Sequence, residues 1–440
     1  MPPPPQNTTK ATKENNFVEN TIVSIANACK KETKIANLKI TDIEHVAVAR
    51  DKYSNLFQKV KYGLSNPSKL FNLIKINNSR KSLSDLKKLI SNEFEVDHNK
   101  LNFKQHNIEH HLAHIASAYF ISPWDNSAGF SVDGSGDFVS TMYANCYDNV
   151  IDVKHKIFVP NSLGSLYTMI CEFIGYTNYG DEGKIMGLAP YGKNSYKDIF
   201  DEIITVKNDG FKLNKKYFKT FGSNQGIIID KNGKASIERH YSDYLVETLG
   251  KPTTPYSEIS KRDMDLAFGL QNKFEEVYLT LLNQLHKVVP NNKISMAGGV
   301  TLNSVANGKI FDNTPFSKTC IQPAAGDDGL SLGASLYVYN SILKLKNRYI
   351  MKGSYLGPEY NDKLIEKSLQ KFNLNYKKLK YDNLIKLTVN EICENNVVGW
   401  FQGKMEWGPR ALGNRSILAN PTSNKMKDIL NSRIKKREWY

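Results

Sequence analysis

Several kinds of protein are excluded by what this sequence lacks. Its five cysteines, Cys29, Cys146, Cys171, Cys320 and Cys393, are odd in number, dispersed, and form no CxxC pair. That excludes a disulfide framework and a zinc ribbon, and it points to reduced thiols in a cytoplasmic protein. No apolar run approaches the roughly 18–20 residues needed to span a bilayer, so no membrane partner is expected. The opening MPPPPQNTTKATKENN has no apolar stretch, and residues 1–16 read as a disordered tail, not a signal peptide. No repeat of solenoid period is visible. Acidic residues are in deficit, 44 Asp and Glu against 59 Lys and Arg, which leaves a net charge of +15. Charge of that sign suits nucleic acid, a membrane surface or anionic small molecules. RRM, KH, zinc-finger and helix-turn-helix signatures are all missing, as is any interleaving of aromatic and basic residues. Nucleic acid is therefore not an expected partner, and phosphorylated substrates fit the charge as well.

What remains is an ordinary globular composition, 40% apolar and 23% charged, over 440 residues, enough for two or three domains. FVENTIVSIANACKK (17–31) has helical spacing, and IEHVAVAR (43–50) alternates as a β-branched strand. Residues 52–100 are polar with intermittent helical periodicity, as in an insertion or cap. SAGFSVDGSGDFVSTMYAN (127–145) reads as a hairpin turning at the glycines of DGSGD, and NVIDVKHKIFV as a third strand. A long amphipathic helix is predicted over 263–289. KISMAGGVTLNSVANGKI and TCIQPAAGDDGLSLGASLYVYNSI each run strand, Gly-rich or Asp-rich turn, helix. That alternation predicts an α/β core with sites at the strand ends. After a polar linker at 343–355, residues 361–396 read as helical, VVGWF as a strand, and QGKMEWGPRALGNRSILANP as a loop followed by a helix.

The histidines are the most concentrated signal. Of nine, His106, His110, His111 and His114 fall within nine positions. His110 and His114 are four apart, so a helix presents both imidazoles on one face, while His111 points about 100° away. Two acidic turns could complete a metal set: Asp133 in DGSGD, and Asp327 or Asp328 in AAGDDG. A His₂Asp₂ or His₂Asp group suits a divalent transition metal such as Fe²⁺ or Zn²⁺. The same residues also suit plainer roles. HxxxH can be two solvated or core histidines, Asp133 a turn former, and Asp327 or Asp328 a helix N-cap.

Five long segments in order, HHLAHIASAYFISPW, LGSLYTMICEFIGYTNYGDEGKIMGLAPYG, MAGGVTLNSVANGKI, QPAAGDDGLSLGAS and VVGWFQGKMEWGPRALGNRSILANP, resemble the NodU/CmcH family of O-carbamoyltransferases. The resemblance runs from about residue 17 to the end. It implies an actin/sugar-kinase-like lobe of duplicated ribonuclease-H-like fold over 17–342, followed by a YrdC-like α/β lobe over 356–440. It also implies the reaction. ATP with Mg²⁺ and carbamoyl phosphate yield carbamoyladenylate, and the carbamoyl group then passes to a hydroxyl of a small, sugar-bearing acceptor.

Matched residue by residue, the resemblance makes His110, His114, Asp133 and Asp327 the metal ligands, with Asp328 the second choice for the last. Gly134, Gly136, Gly298 and Gly299 would let backbone approach a nucleotide, as bare turns can where a side chain would block. Asn303 and Asn414 join them as cofactor-binding residues, and Ser416 is a further neutral donor. Lys184 in DEGKIMGLAPYG is a candidate phosphate or substrate contact. Lys404, Arg410 and Arg415 in KMEWGPRALGNR would grip carbamoyl phosphate and the ATP phosphates, since guanidinium groups clamp oxyanions with paired hydrogen bonds. Trp407 is either a packing residue or a pocket wall.

The pattern departs from the family at both ends. A G-x-S-x-x-H-D-S-type strand pair has no counterpart here, and NSRIKKREWY stops within the YrdC-like lobe. The chain is therefore expected to be trimmed, with a partial second lobe. Two functional expectations stand: an active O-carbamoyltransferase, or a metal- and nucleotide-binding remnant or subunit of a split enzyme. A homodimer or a complementing chain is compatible with either.

Overall fold

The computed structural model describes residues 38–65, 86–178, 180–219 and 239–440, with the backbone alone of 227–229 and 235–237. The helix predicted over 17–31 and the tail over 1–16 lie outside the described residues. In chain order the elements that build and frame the site begin with β1 (His45–Val48), α1 (Leu56–Ser65), β2 (Lys104–Asn107) and α2 (His110–Tyr119). A meander follows: β3 (Asn126–Gly136), β4 (Val139–Tyr147) and β5 (Val150–Phe158). Then come α3 (Leu163–Phe173), α4 (Glu182–Leu188), α5 (Lys261–Val288), β6 (Lys293–Ala297), β7 (Lys318–Ile321) and α6 (Leu330–Leu336). The C-terminal part holds α7 (Asp362–Lys371), α8 (Tyr381–Cys393), β8 (Val398–Phe401) and β9 (Arg415–Leu418).

The central sheet has the order β7-β6-β3-β4-β5, with β3, β6 and β7 parallel and the β3–β4–β5 meander antiparallel. Mixed pairing of this kind covers both faces with helices, and the residues of β3 show how. Ala128, Phe130 and Val132 point into a large core with α3 and α5. The intervening Ser127, Gly129 and Ser131 are small and make room for α2 on the other face. A Cβ at Gly129 would stand 2.8 Å from Ile115 Cγ2, so this glycine sets how closely α2 approaches the sheet. α2 in turn lies against α6, where a Cβ at Gly333 would meet the Ala113 carbonyl oxygen. Ala113, Ala116 and Ala118 of α2 are all fully buried, so the helix is held by close packing on two sides. Beside this sheet, β1 and β2 form a two-stranded parallel ladder. A second five-stranded sheet does not occur among the described residues.

Most predicted elements occur close to their expected bounds, including the 263–289 helix, which is α5 and begins at Lys261 behind a Ser260–Asp263 capping box. Three expectations are corrected. The hairpin does not turn at the DGSGD glycines, which lie in β3 across an irregular stretch of register between Val132 and Gly136. It turns at Asp137 and Phe138, at φ of 46° and 75°. Neither is glycine, so tertiary contacts hold the turn: the Asp137 carboxylate accepts the Asp51 and His110 amides, and Phe138 is buried. Secondly, residues 361–396 form two helices separated by 372–380, with Asn373 at φ 50°. Thirdly, the segment after WGPRALGN continues as strand β9, not a helix. Its four residues pair antiparallel with β8, and that ladder decides a run too short for periodicity to decide.

Candidate metal centre

The parallel register brings three distant turns to one end of the sheet. Phe130 of β3 lies beside Met296 of β6, which lies beside Ile321 of β7. Just beyond these strand ends come Asp133, Gly298 and Gly299, and Asp327. Carboxyl ends of parallel strands are where open α/β sheets collect ligands. α2 enters over the same end. Its N-terminus is fixed by the Glu109 carboxylate, which accepts the Leu112 amide at 2.8 Å, and by Asp137, which accepts the His110 amide at 3.0 Å.

The result is a tight group of four. His110 Nε2 lies 3.1 Å from Asp133 Oδ2 and 3.6 Å from Asp327 Oδ1. His114 Nε2 lies 3.5 Å and 3.7 Å from the same two oxygens, and 3.1 Å from His110 Nε2. One ligand atom from each residue falls within 4.8 Å of every other. Two imidazole nitrogens and two carboxylate oxygens that converge this way could hold a cation among them. A shared proton satisfies only one pair, whereas the N₂O₂ donor set fits a divalent transition metal. The His114 side chain is fully buried while that of Asp327 is 62% exposed, so the group is closed on one side and open on the other. A closed side with an open approach is the form of a site that takes a substrate.

Neighbours aim the ligands. The Gly299 amide donates to Asp133 Oδ1 at 3.1 Å, which leaves Oδ2 for the histidines. A Cβ at Gly298, at φ 101°, would lie 2.2 Å from the Val132 carbonyl oxygen, so only glycine permits this turn. Gly136 serves His110: a Cβ there would sit 2.0 Å from the imidazole Cδ2. Burial alone would lower the His114 pKa, but the carboxylates of Asp133 and Asp327 outweigh it and raise it to about 9. Burial likewise works against charge on Asp133, yet His110 and His114 hold its carboxyl well below the usual range. His111 stands apart. Its Nδ1 meets Ser131 Oγ at 2.8 Å and its Nε2 meets the Val139 carbonyl at 3.0 Å. Burial, then the neighbouring His110 and His114, keep it neutral, so Nε2–H donates to the carbonyl and Nδ1 accepts from the serine. His106 pairs with His45, Nε2 to Nδ1 at 3.0 Å, across the β1–β2 ladder.

Comparison with known families places the chain. Residues 81–336 match the family description "Carbamoyltransferase N-terminus", and residues 389–440 match "Carbamoyltransferase C-terminus". The chain belongs to the carbamoyltransferase family, of the NodU/CmcH type. Among its relatives, an uncharacterized protein of Synechocystis sp. is 37% identical over 341 residues, covering 76% of this chain and 53% of the relative. Nodulation protein NolNO of Sinorhizobium fredii is 33% identical, covering 81% and 49%. The 3'-hydroxymethylcephem-O-carbamoyltransferase of Amycolatopsis lactamdurans is 24% identical, covering 75% and 58%. The chain spans about half the length of these relatives.

Within this carbamoyltransferase chain the other predicted site residues fall into three groups. Gly134 faces open space, with nothing within 4 Å of an added Cβ, so a ligand can approach its backbone. Lys404 and Arg410 are exposed and pair with no side chain among the described residues. The rest are engaged. Lys184 Nζ sits 3.0 Å from Asp181 Oδ1 and 2.7 Å from Glu438 Oε1, over the rings of Tyr176 and Tyr256. Asn303 caps a short helix through the Ala306 amide and exchanges hydrogen bonds with Gln271. Asn414 donates to the Lys404 carbonyl, and Ser416 Oγ accepts the Gly413 amide. Arg415 Nε donates to Glu406 Oε2 at 2.7 Å, and the other Glu406 oxygen accepts the Leu412 and Asn414 amides. Asp328 lies outside the group of four. No helix among the described residues is long and apolar enough to cross a membrane.

Three residues that sequence reasoning missed or left open join the 404–415 loop to the turn before Asp327. Gln322, almost fully buried, donates through Nε2 to the Ser117 carbonyl of α2 and accepts the Trp407 indole N–H at 3.1 Å. Gly408, at φ 101°, packs on the Pro323 carbonyl, where a Cβ would stand at 2.5 Å. Trp407 is thus a packing residue. It clamps the loop bearing Arg410 onto the turn that leads to Asp327. The QP and WG pairs flanking the two turns were visible in the sequence, but nothing in their spacing links positions 85 apart.

Proposed function

We infer that this chain works in ATP-dependent O-carbamoyl transfer. In this reading carbamoyladenylate forms from carbamoyl phosphate and ATP with Mg²⁺, and the carbamoyl group passes to a hydroxyl of a small, sugar-bearing acceptor. The observation that carries the reading is the convergence of His110, His114, Asp133 and Asp327 at the open end of the sheet. These four would hold Fe²⁺ or Zn²⁺, which when bound supplies Lewis acidity toward a carbonyl or phosphate oxygen. Gly134 leaves room for phosphate or ribose against the β3 backbone, and the Gly299 amide keeps Asp133 aimed. Lys404 and Arg410 offer unpaired positive charge for carbamoyl phosphate and the nucleotide phosphates. In fold terms we take the five-stranded sheet, a three-strand meander followed by two parallel strands, as one half of a duplicated ribonuclease-H-like lobe, and 356–440 as a partial YrdC-like lobe.

The engagement of Lys184 with Glu438 and of Arg415 with Glu406 favours a second reading, in which this chain binds metal and nucleotide as one subunit or as a remnant. One experiment separates them. Metal-loaded protein is assayed for pyrophosphate release from ATP with and without carbamoyl phosphate, alongside the His110→Ala/His114→Ala variant. Release that depends on carbamoyl phosphate supports the enzyme, and folded protein without release supports the subunit or remnant. Should the double variant keep as much bound Zn²⁺ as the parent, the metal assignment fails.

A further inference from the structure

The turn that follows β1 comes out beside the start of α2. β1 and β2 run parallel with Val48 opposite Asn107, so the chain leaves both strands at one end of the ladder. After β2 it leads into α2 and His110, and after β1 it leads to Arg50 and Asp51. Two shared acceptors tie these turns together. The Val48 carbonyl accepts the Arg50 and Ile108 amides, each at 2.8 Å. Asp137 Oδ2 accepts the Asp51 amide at 2.8 Å and the His110 amide at 3.0 Å. Arg50 is therefore one residue from an amide that neighbours the amide of a metal-group histidine. Arg50 is exposed, and its guanidinium has no partner among the described residues. Lys59 of α1 belongs to the same corner. It is half-buried, and among the described residues its ammonium donates only to the Lys52 carbonyl, at 3.1 Å. Burial lowers its pKa, Asp137 and Asp51 oppose that, and Arg50 reinforces it. The carboxylates nearby are used otherwise. Asp51 accepts the Tyr53 amide at 2.9 Å and the Ser54 hydroxyl at 2.8 Å, and Glu109 caps α2. Two cations thus share the corner next to His110 without an ion-pair partner, and one of them is partly removed from water. Burying charge in that way is costly unless an anion joins it.

We propose that Arg50 and Lys59 are a phosphate-binding pair, and that they hold the phosphate group of a substrate at the metal centre. A phosphate monoester carries about 1.5 to 2 negative charges at pH 7, which matches one guanidinium and one ammonium. The guanidinium supplies paired hydrogen bonds and the ammonium a compact charge. Phosphate and metal then favour each other's binding, since the two sites adjoin. The phosphate belongs to the carbamoyl donor or to a phosphorylated acceptor, and the experiment separates these sources. Its role in transfer rests on the carbamoyl-transfer reading, but the binding test does not.

The full chain is loaded with Co²⁺, freed of excess metal, and titrated with carbamoyl phosphate, with glucose 6-phosphate and with glucose while the Co²⁺ visible spectrum is recorded. The expected result is a saturable spectral change with at least one phosphate compound and none with glucose. The compound that acts at the lower concentration identifies the donor or the acceptor as the source. Arg50→Gln/Lys59→Gln should keep the parental Co²⁺ content and starting spectrum, and should need at least tenfold more of that compound for the same change. Lys386→Gln, at an exposed lysine of α8 outside this corner, should titrate as the parent does. Thermal melting of each variant confirms the fold, and Arg50→Gln alone, at an exposed position, repeats the test should the double variant be unstable. No spectral change with either phosphate compound overturns the proposal, and so does a change whose midpoint both Gln variants leave at the parental value. A change that depends on the pair, in protein that never releases pyrophosphate from ATP, would uphold the pair and overturn the carbamoyl-transfer reading instead.

Discussion

Gly136→Ala tests the metal centre with one methyl group. Both Gly134 and Gly136 are expected from the sequence to admit a nucleotide, but the structure separates them. A Cβ at position 136 would lie 2.0 Å from His110 Cδ2 and 2.1 Å from Cγ. Carbon atoms rest at about 3.5–4.0 Å, so the imidazole must retreat by about 1.5 Å. α2 has no slack to follow, because Gly129 and Gly333 seat it against the sheet and α6. The ring therefore leaves the group while the helix stays. Losing one of four ligands should weaken Zn²⁺ or Co²⁺ binding by about 100-fold or more, or about 2.8 kcal/mol at 1.4 kcal/mol per decade. Competition against a chromophoric chelator measures it, and the Co²⁺ visible spectrum reports the change of ligand set. Gly134→Ala is the matched control, since its methyl meets open space, and it should bind metal as the parent does. A Gly136→Ala protein with parental metal affinity and Co²⁺ spectrum would refute the reasoning and return Gly136 to the nucleotide.

Two further outcomes follow from the same geometry. Gln322→Leu leaves the Trp407 indole N–H and the Ser117 carbonyl without their partner. It should lower stability by about 1–3 kcal/mol in denaturant melts and shift Trp407 fluorescence to the red, while metal content stays parental. In metal-free protein the His114 pKa is raised from 6.5 to about 9, so its proton stabilises the fold fully below pH 6.5, and that contribution is lost as pH rises through 9. At 1.36 kcal/mol per unit this amounts to about 3 kcal/mol. Thermal melts from pH 6.5 to 9 should therefore fall in the metal-free protein and not in the Zn²⁺-loaded one, and a flat metal-free profile would contradict the buried pairing.

Where a feature depends on local spacing, the sequence already showed it. IEHVAVAR alternates and is β1; HxxxH places two imidazoles on one helical face, and the structure has them 3.1 Å apart at Nε2. Features that depend on a distant partner were hidden. The hairpin turns at Asp137 and Phe138 because Asp51 and His110 offer amides to the Asp137 carboxylate, and one of those lies 86 positions away. Arg415 was expected to clamp phosphate; in the structure its Nε donates to Glu406, nine positions earlier in the same KMEWGPRALGNR segment, an acidic residue that a reading for basic groups passes over. Lys184 stands in a conspicuous motif, but its partner Glu438 lies far along the chain. A charged residue in a motif shows that charge is needed there. Whether a ligand or the fold consumes that charge depends on carboxylates elsewhere.

The metal group itself needs little local support, because the sheet places most of it. With Phe130, Met296 and Ile321 in register, Asp133 lies three residues beyond the first and Gly299 three beyond the second. Equal overhangs bring the Gly299 amide to Asp133 Oδ1. Asp327 lies six residues beyond Ile321, and the extra length lets its chain curl back toward the histidines. A slip of β6 by one residue would turn Met296 and Ile294 out of the core and carry the Gly299 amide about 3.3 Å along the strand, out of reach of Asp133. The burial of Met296 and Ile294 is thus what holds the register, and the aim of Asp133 follows from it. The centre is preorganised by hydrophobic packing several residues away. Substitutions deep in β6 should therefore disturb metal binding as surely as substitutions at the ligands.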